Sequence, residues 1–354
     1  MPLLSICIPT YNRHLLLINT VNMLIHQING NSLNDHVEII ISDNASTDDT
    51  LGSCKVLVEN NLNVSIRHFR NPSNIGFDRN CLAATKFASG EFVWLMSDDD
   101  KLNDDAIIKI YDSLKENSDV VFAFINYSLI TPGFDEYFPL RFSKNLLLTA
   151  DELVIKTQLG FGFVTSCIFK RKIWEQLNLE GYLGSNWLQL YAVKDAALFG
   201  KSLVIAEPLI KMIRGTLLES RIERRSKDQK IDLFMQFHLD YLDYLETYID
   251  SGYKSSTYPE IIKTGWNDNL NQIISMKLTA ATYNLSGLIF IFSKMKFFYR
   301  KKLAFWFLHV PILFMPKSFA RLYFGSKMLK IRAKRFVKPY LIRLGFLKSY
   351  VKNC

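Results

Sequence analysis

Three carboxylates stand side by side at Asp98, Asp99 and Asp100, directly behind the largely apolar run Glu91–Met96 and Ser97. Adjacent like charges raise one another's pKa, so such a cluster needs a cation or bulk water. Hard carboxylate oxygens suit Mg²⁺ or Mn²⁺, and an ion held there would neutralise a diphosphate leaving group. The same triplet is also compatible with a solvated acidic turn that caps a helix starting near residue 104. Polar residues gather behind two other apolar runs as well: Thr10-Tyr11-Asn12-Arg13 after Leu3–Pro9, and Asp43-Asn44 after Val37–Ile41.

Groups so placed need a framework, and the hydrophobic pattern supplies one. Leu3–Ile8 reads as a buried strand. Leu17, Val21, Leu24 and Ile28 fall at helical spacing, and Val37–Ile41 reads as a second strand. Strand, helix, strand implies a parallel pair. Further strands are expected at Val64–Phe69, Glu91–Met96, Val120–Asn126, Phe161–Lys170 and Leu203–Ala206. Helices are expected from Thr47 or Asp48 to Leu57 and over Asp78–Ala88, Asn103–Glu116 and Leu188–Phe199, with a capping box at Thr149–Glu152. Beyond about Ile213 the pattern turns helical, with an amphipathic run at Ile231–Ile249. The fold class is α/β, and ligands of open α/β sheets bind at the strands' carboxyl ends, where these polar residues collect. No GxxxxGK[ST] loop is present and no GxGxxG follows the first strand, which argues against phosphate-loop enzymes and NAD-linked dehydrogenases.

Charge is divided along the chain. The net charge is +9, yet Asn269 to Cys354 holds 17 Lys and Arg with no acid, so residues 1–268 carry 26 basic against 34 acidic residues. The tail interleaves its cations with aromatic and aliphatic residues. Phe319, Leu322, Tyr323, Leu329, Phe336, Tyr340 and Leu344 recur at helical steps, a pattern suited to an anionic membrane surface. A helical cap or a nucleic-acid arm would share that composition, but the acidic first 268 residues argue against nucleic acid as a partner. The run Leu303–Met315 covers 13 residues and contains Pro311, short of the ~20 that a spanning helix needs. Five cysteines at unrelated spacings fit a reduced, cytosolic setting. The N-terminus lacks a basic start followed by an uninterrupted apolar stretch, so no signal peptide is expected.

Four ordered segments carry a resemblance: CIPTYNR at 7–13, ISDNASTDDT at 41–50, NPSNIGFDRN at 71–80 and GEFVWLMSDDD at 90–100. Together they resemble family-2 glycosyltransferases of the GT-A fold, and among these they are most similar to bacterial O-antigen abequosyltransferases. The resemblance implies a mainly parallel, Rossmann-like sheet flanked by helices, and the composition beyond it adds a helical, basic C-terminal region. With the charge and apolar pattern of the tail, the chain reads as a transferase domain at 1–215, a helical extension at 216–284 and a membrane-associating region at 285–354. Within the first, 1–105 would hold the nucleotide and 106–215 the acceptor.

The resemblance also implies roles. Thr10, Tyr11 and Asn12, flanked by Pro9 and Arg13, would lie along the nucleotide base and ribose. Asp43 would accept a hydrogen bond from the base, with Asn44 beside it, and Asp78, Arg79 and Asn80 would sit near the diphosphate. Asp98 and Asp100 would hold the metal beside Ser97, with Asp99 adjacent in the catalytic cluster. The family's DxD pattern fits Asp98-Asp99-Asp100 literally, but aligning the strand puts Met96-Ser97-Asp98 in register, so Asp98 is common to both readings. Gln189 occupies the position of the usual catalytic Asp. An amide cannot take a proton, which leaves Asp135 or Glu136 as substitute bases, or a retaining mechanism. Asp195, two helical turns away, reads as a surface residue. The implied reaction moves a sugar from a CDP-linked 3,6-dideoxyhexose such as abequose to a mannose-containing, polyprenyl-diphosphate-linked acceptor at the cytoplasmic face of the inner membrane. A UDP- or GDP-sugar transferase and a non-catalytic membrane-bound assembly subunit are the alternatives. The oligomeric state stays open.

Overall fold

The computed structural model describes residues 1–130, 136–157, 160–185, 187–213, 244–248 and 251–257, with scattered positions between 289 and 316. The chain divides into two compact units, Met1–Arg225 with Tyr244–Ile261, and Ser226–Asp243 with Ile262–Cys354.

In the first unit the strongest apolar runs become the centre of the sheet. β1 (Leu4–Thr10), β2 (Val37–Asp43) and β4 (Phe92–Leu95) are buried at every position. Burial on both faces leaves no room for polar alternation, which explains their continuous hydrophobicity. One of the covering helices, α1 (His14–Gly30), buries Leu17, Val21, Leu24 and Ile28, the stripe its spacing calls for. α2 (Thr50–Glu59), β3 (Ser65–Arg70) and α3 (Phe77–Lys86) complete the layers of this half. Gly76, at φ +85°, precedes α3 in a conformation that side-chain-bearing residues rarely adopt.

The remaining elements are β5 (Lys101–Leu102), α4 (Ala106–Glu116), β6 (Phe122–Ile130), β7 (Leu146–Leu148), α5 (Ala150–Thr157), β8 (Cys167–Lys170), α6 (Arg171–Trp174), α7 (Leu188–Ala196) and β9 (Ser202–Ile213). Strand order is β3-β2-β1-β4-β8-β6-β9-β5, with β7 on β9. The first four strands are parallel, as expected. Beyond β4 the sheet is mixed: β8 runs antiparallel to both β4 and β6, whereas β6 and β9 are parallel. The sheet is thus wholly parallel from β3 to β4 and mixed beyond, with parallel pairing resumed between β6 and β9.

Two strand expectations need correction. Phe161–Lys170 is not one strand: 160–166 forms two 3₁₀ turns and the strand starts at Cys167. Gly162 lies against the Trp187 ring, where an added Cβ would stand 3.2 Å from it. The last strand continues past Ala206 to Ile213, because the pairing with β6 shifts register between Ile125 and Tyr127 and resumes. Pro208, which has no N–H to donate, sits in that irregular stretch. The capping box forms: Thr149 N donates to Glu152 Oε2 at 2.9 Å, and Glu152 N reaches Thr149 Oγ1 at 3.5 Å. Tyr244–Ile261, expected in the helical extension, belongs with the first unit. Tyr253 Oη donates to the Lys194 carbonyl at 2.9 Å and Lys254 N to Asp151 at 3.0 Å.

In the second unit Phe292 packs edge-on to Trp306 and Phe314, with centroids 6.1 and 5.9 Å apart. Val310–Phe314 is a helical turn. Among the described residues no helix is long and apolar enough to cross a membrane. The amphipathic pattern from Phe319 to Leu344 and most of Ile231–Ile249 lie outside the described residues.

The amino ends of the strands are locked by one carboxylate. Glu38 is buried and accepts from Ser5 Oγ, from Ser89 N (2.7 Å) and Oγ (2.8 Å), and from Arg67 Nη2. Gly90 N joins the same group at 3.2 Å, and no Cβ fits at Gly90 because Ser5 N would lie 2.8 Å away. Burial by itself raises the Glu38 carboxyl, but the bonds from Ser5, Ser89 and Arg67 outweigh it and hold its pKa below the ordinary glutamate value. Its stabilisation is therefore complete above that ordinary value and is lost as pH falls through the lowered one. Glu38→Ala, which orphans several buried donors, should cost about 2–4 kcal/mol in urea unfolding at neutral pH and flatten the acid limb of the stability curve.

Candidate active site

Sheet register brings the chemically interesting residues abreast. Thr10 pairs with Asp43, and Asp43 with Arg70, at the carboxyl ends of β1, β2 and β3. The acidic cluster follows β4, the neighbour of β1 on its other side.

In the cluster Asp98 and Asp100 are each 2 % exposed. Thr10 Oγ1 donates to Asp98 Oδ2 at 2.7 Å, and Arg13 Nη1 to Asp98 Oδ1 at 2.5 Å. The second arm of the same guanidinium donates to Asp99 Oδ2 at 2.5 Å, while Ser97 Oγ donates to Asp99 Oδ1 at 2.6 Å. Asp100 takes a hydrogen bond from the Thr165 hydroxyl, which in turn accepts from Ser97 N at 3.0 Å. Burial raises Asp98 to about 6 against the pull of Arg13 and Thr10. Asp100, further from the guanidinium's influence, is raised to about 8 by burial and then by Asp99.

These carboxylates have the chemistry for Mg²⁺ or Mn²⁺, but in this arrangement they do not fit one. Both Asp98 oxygens are bonded within the protein, Asp100 is bonded to Thr165 on a separate turn, and a guanidinium stands between Asp98 and Asp99. Among the described residues no group of three His, Cys, Asp or Glu side chains converges on a common point for a metal. The expectation that Asp98 and Asp100 share an ion is therefore not met by this geometry.

The residues ending β1 and β2 form a cluster of their own. Asp43 is fully buried, accepts from Ser46 N at 2.9 Å and is paired with Arg70 Nη1 at 2.6 Å. Asn12, at φ +53°, clamps this cluster: its N–H donates to Ser46 Oγ at 2.8 Å and its Oδ1 accepts from Thr47 N at 2.7 Å. Pro9 is buried in β1 and Tyr11 is half-buried beside it. Asn44 accepts from Ile75 N at 3.0 Å and donates to Asn74 at 2.9 Å, which pins the 71–76 loop.

Asn80 is bonded within the protein. Its Oδ1 accepts from Ser42 Oγ (2.7 Å) and Asn71 Nδ2 (2.8 Å), and its Nδ2 donates to the Ser42 carbonyl at 3.0 Å. It clamps α3 to β2, and its polar atoms are committed there. Arg79, in the first turn of α3, is exposed. Asp78 is buried and accepts from Gly184 N at 2.7 Å, tying α3 to the loop before α7.

Gln189 lies in the first turn of α7, 3 % exposed, and its Nε2 donates to the Gly162 carbonyl at 3.0 Å. Its Oε1 is buried without a partner among the described residues. Glu136 is exposed and accepts from Ser128 Oγ on β6, and Asp195 is paired with Lys194 at 2.8 Å. Asp135 lies outside the described residues. Two participants escape sequence reading. Thr165 hides inside a stretch that reads as strand, with no local signal. Arg70 could have been found, since a cation ending β3 must face the acid ending β2.

Residues 5–177 match the family described as Glycosyl transferase family 2. The chain is 28% identical over 262 residues to abequosyltransferase RfbV of Salmonella typhimurium (strain LT2), covering 69% of this chain and 74% of that protein. Among solved structures it resembles S. aureus TarS 1–349 in complex with UDP, with a TM-score of 0.62 and 16% identity over 100% of this chain and 94% of that one. It also resembles the mannosyltransferase PcManGT from Pyrobaculum calidifontis in complex with GDP-Man and Mn²⁺ (TM-score 0.54, 13% identity, 91% of this chain and 87% of that one). The fold is GT-A.

The raised Asp100 value sets a pH dependence. An acid whose folded pKa exceeds its unfolded value holds its proton more tightly in the folded state. Stability therefore falls as pH rises from the ordinary aspartate value to about 8. Asp100→Asn removes that charge. Its gain over wild type should be larger at about pH 8.5 than at about pH 5, by on the order of 1–3 kcal/mol in denaturant unfolding.

Proposed function

We propose that this family 2 glycosyltransferase transfers a 3,6-dideoxyhexose of the abequose type from a CDP-linked donor to a mannose-containing, polyprenyl-diphosphate-linked oligosaccharide. The observation that carries this reading is the similarity to an abequosyltransferase over 69% of the chain.

In this reading Asp43, held by Ser46 and Arg70, offers an acceptor oxygen to the nucleotide base, with Tyr11 along the ribose. Arg79, in the N-terminal turn of α3, faces the diphosphate with positive charge. The acceptor hydroxyl attacks the anomeric carbon, the glycosidic bond forms, and the bond to the nucleoside diphosphate breaks. Gln189 orients and cannot receive the hydroxyl proton, so that proton passes to a carboxylate, with Asp135 and Glu136 as the candidates. Asp98 keeps Thr10 and Arg13 at the mouth of the site.

Thermal shift against CDP, UDP and GDP, followed by transfer assays with the corresponding sugars, tests the donor. CDP should stabilise most, and a larger shift with UDP or GDP would reassign it. Binding of none, with no transfer, would favour a non-catalytic assembly subunit. Asp98→Ala should lower transfer by about 10²-fold or more in a folded protein, and Gln189→Ala by much less.

The lipid-linked acceptor gives the basic tail a purpose as a peripheral anchor on the cytoplasmic face of the inner membrane. Cations add attraction of ~1 kcal/mol each near an anionic surface. Phe307, 80 % exposed, and the part-exposed Trp306 and Phe314 offer apolar contacts. High salt or alkaline carbonate should release the full-length protein from membranes, and a requirement for detergent would overturn peripheral binding.

A further inference from the structure

Two arms of one guanidinium hold two carboxylates, and this happens where the sequence reading placed a metal. We propose that Arg13 is the resident counter-cation of the cluster and competes with a divalent cation for Asp98 and Asp99.

Three observations support it. The contact is a fork: Nη1 meets Asp98 and Nη2 meets Asp99, each at 2.5 Å, so one planar group serves both acids at once. The two acid side chains are buried, 2 % exposed for Asp98 and 3 % for Asp99, and the Arg13 side chain is 15 % exposed, so solvent there screens little. A divalent ion at those oxygens would face the guanidinium at contact range, and like charges at that distance exclude one another. Finally, the backbone around Arg13 is fixed while its side chain is not part of the core. Asn12 is clamped to Ser46 and Thr47, and the Arg13 carbonyl accepts from Leu17 N at 3.0 Å to open α1. Displacing the guanidinium therefore requires side-chain rotation alone.

The competition belongs to the carboxylates and stands whether or not the donor assigned above is right. Its test uses Mn²⁺ alone, with no nucleotide, on the full-length protein. Calorimetry or the EPR signal of free Mn²⁺ gives the dissociation constant for wild type, Arg13→Gln, Arg13→Lys and the double variant Arg13→Gln/Asp98→Asn. Arg13→Gln should bind Mn²⁺ about tenfold or more tightly than wild type, because a competing charge is gone. Arg13→Lys, which keeps the charge but loses the fork, should fall between them. The double variant should lose the gain. Added Mn²⁺ should also restore much of the melting temperature that Arg13→Gln loses. Unchanged or weaker Mn²⁺ binding in folded Arg13→Gln would overturn the proposal, as would a double variant that keeps the gain. If Arg13→Gln does not fold, the Arg13→Lys comparison decides alone, since affinity equal to wild type contradicts competition.

Discussion

Carboxylates at the end of a buried strand cannot keep their charge unaided, and most of the polar architecture of this site answers that requirement. Asp98, Asp99 and Asp100 emerge from β4 into a region where water is largely excluded. Each is met from a different direction: Thr10 from β1, Arg13 from the start of α1, Ser97 from within the turn, and Thr165 from the 3₁₀ turn before β8. These contacts stitch the parallel N-terminal strands to the mixed half of the sheet. A change that alters the charge of this cluster therefore reaches both halves.

The two ends of the sheet treat buried acids in opposite ways. Glu38 is saturated by donors and its pKa is lowered, whereas Asp98 and Asp100 have fewer donors than their burial demands and are raised. The difference is one of donor number and not of residue type. At the amino ends the result is a static lock. At the carboxyl ends, unmet electrostatic demand leaves groups that respond to an incoming cation or anion, which is the condition a diphosphate site requires.

Around that cluster several residues with family-like positions act on the protein itself. Asn80 is spent on Ser42 and Asn71, Asn44 holds the 71–76 loop, and Asn12 fixes the turn that delivers Arg13. Each of them fixes the backbone beside it. Asp43 is buried and held by Ser46 and Arg70, so the backbone around it has little freedom to rearrange. Rigidity of this kind lowers the cost of ordering on binding.

Local pattern was enough for much of this. Continuous apolar runs identified β1, β2 and β4, helical spacing identified the buried face of α1, and the polar residues behind those strands marked the end of the sheet where the site lies. Each of these is a property of neighbouring residues, read by periodicity. Partnership was not legible. Arg13 and Asp98 are 85 residues apart, and Thr165 and Asp100 are 65 apart. Nothing local distinguishes a guanidinium bound for a diphosphate from one bound for two aspartates. Strand order decides that, because β4 beside β1 brings the acids within reach of Arg13, and antiparallel β8 beside β4 brings Thr165. The break of 161–170 into turns and a short strand, and the continuation of β9 past Pro208, were settled the same way, by pairing with distant strands that local hydrophobicity does not encode.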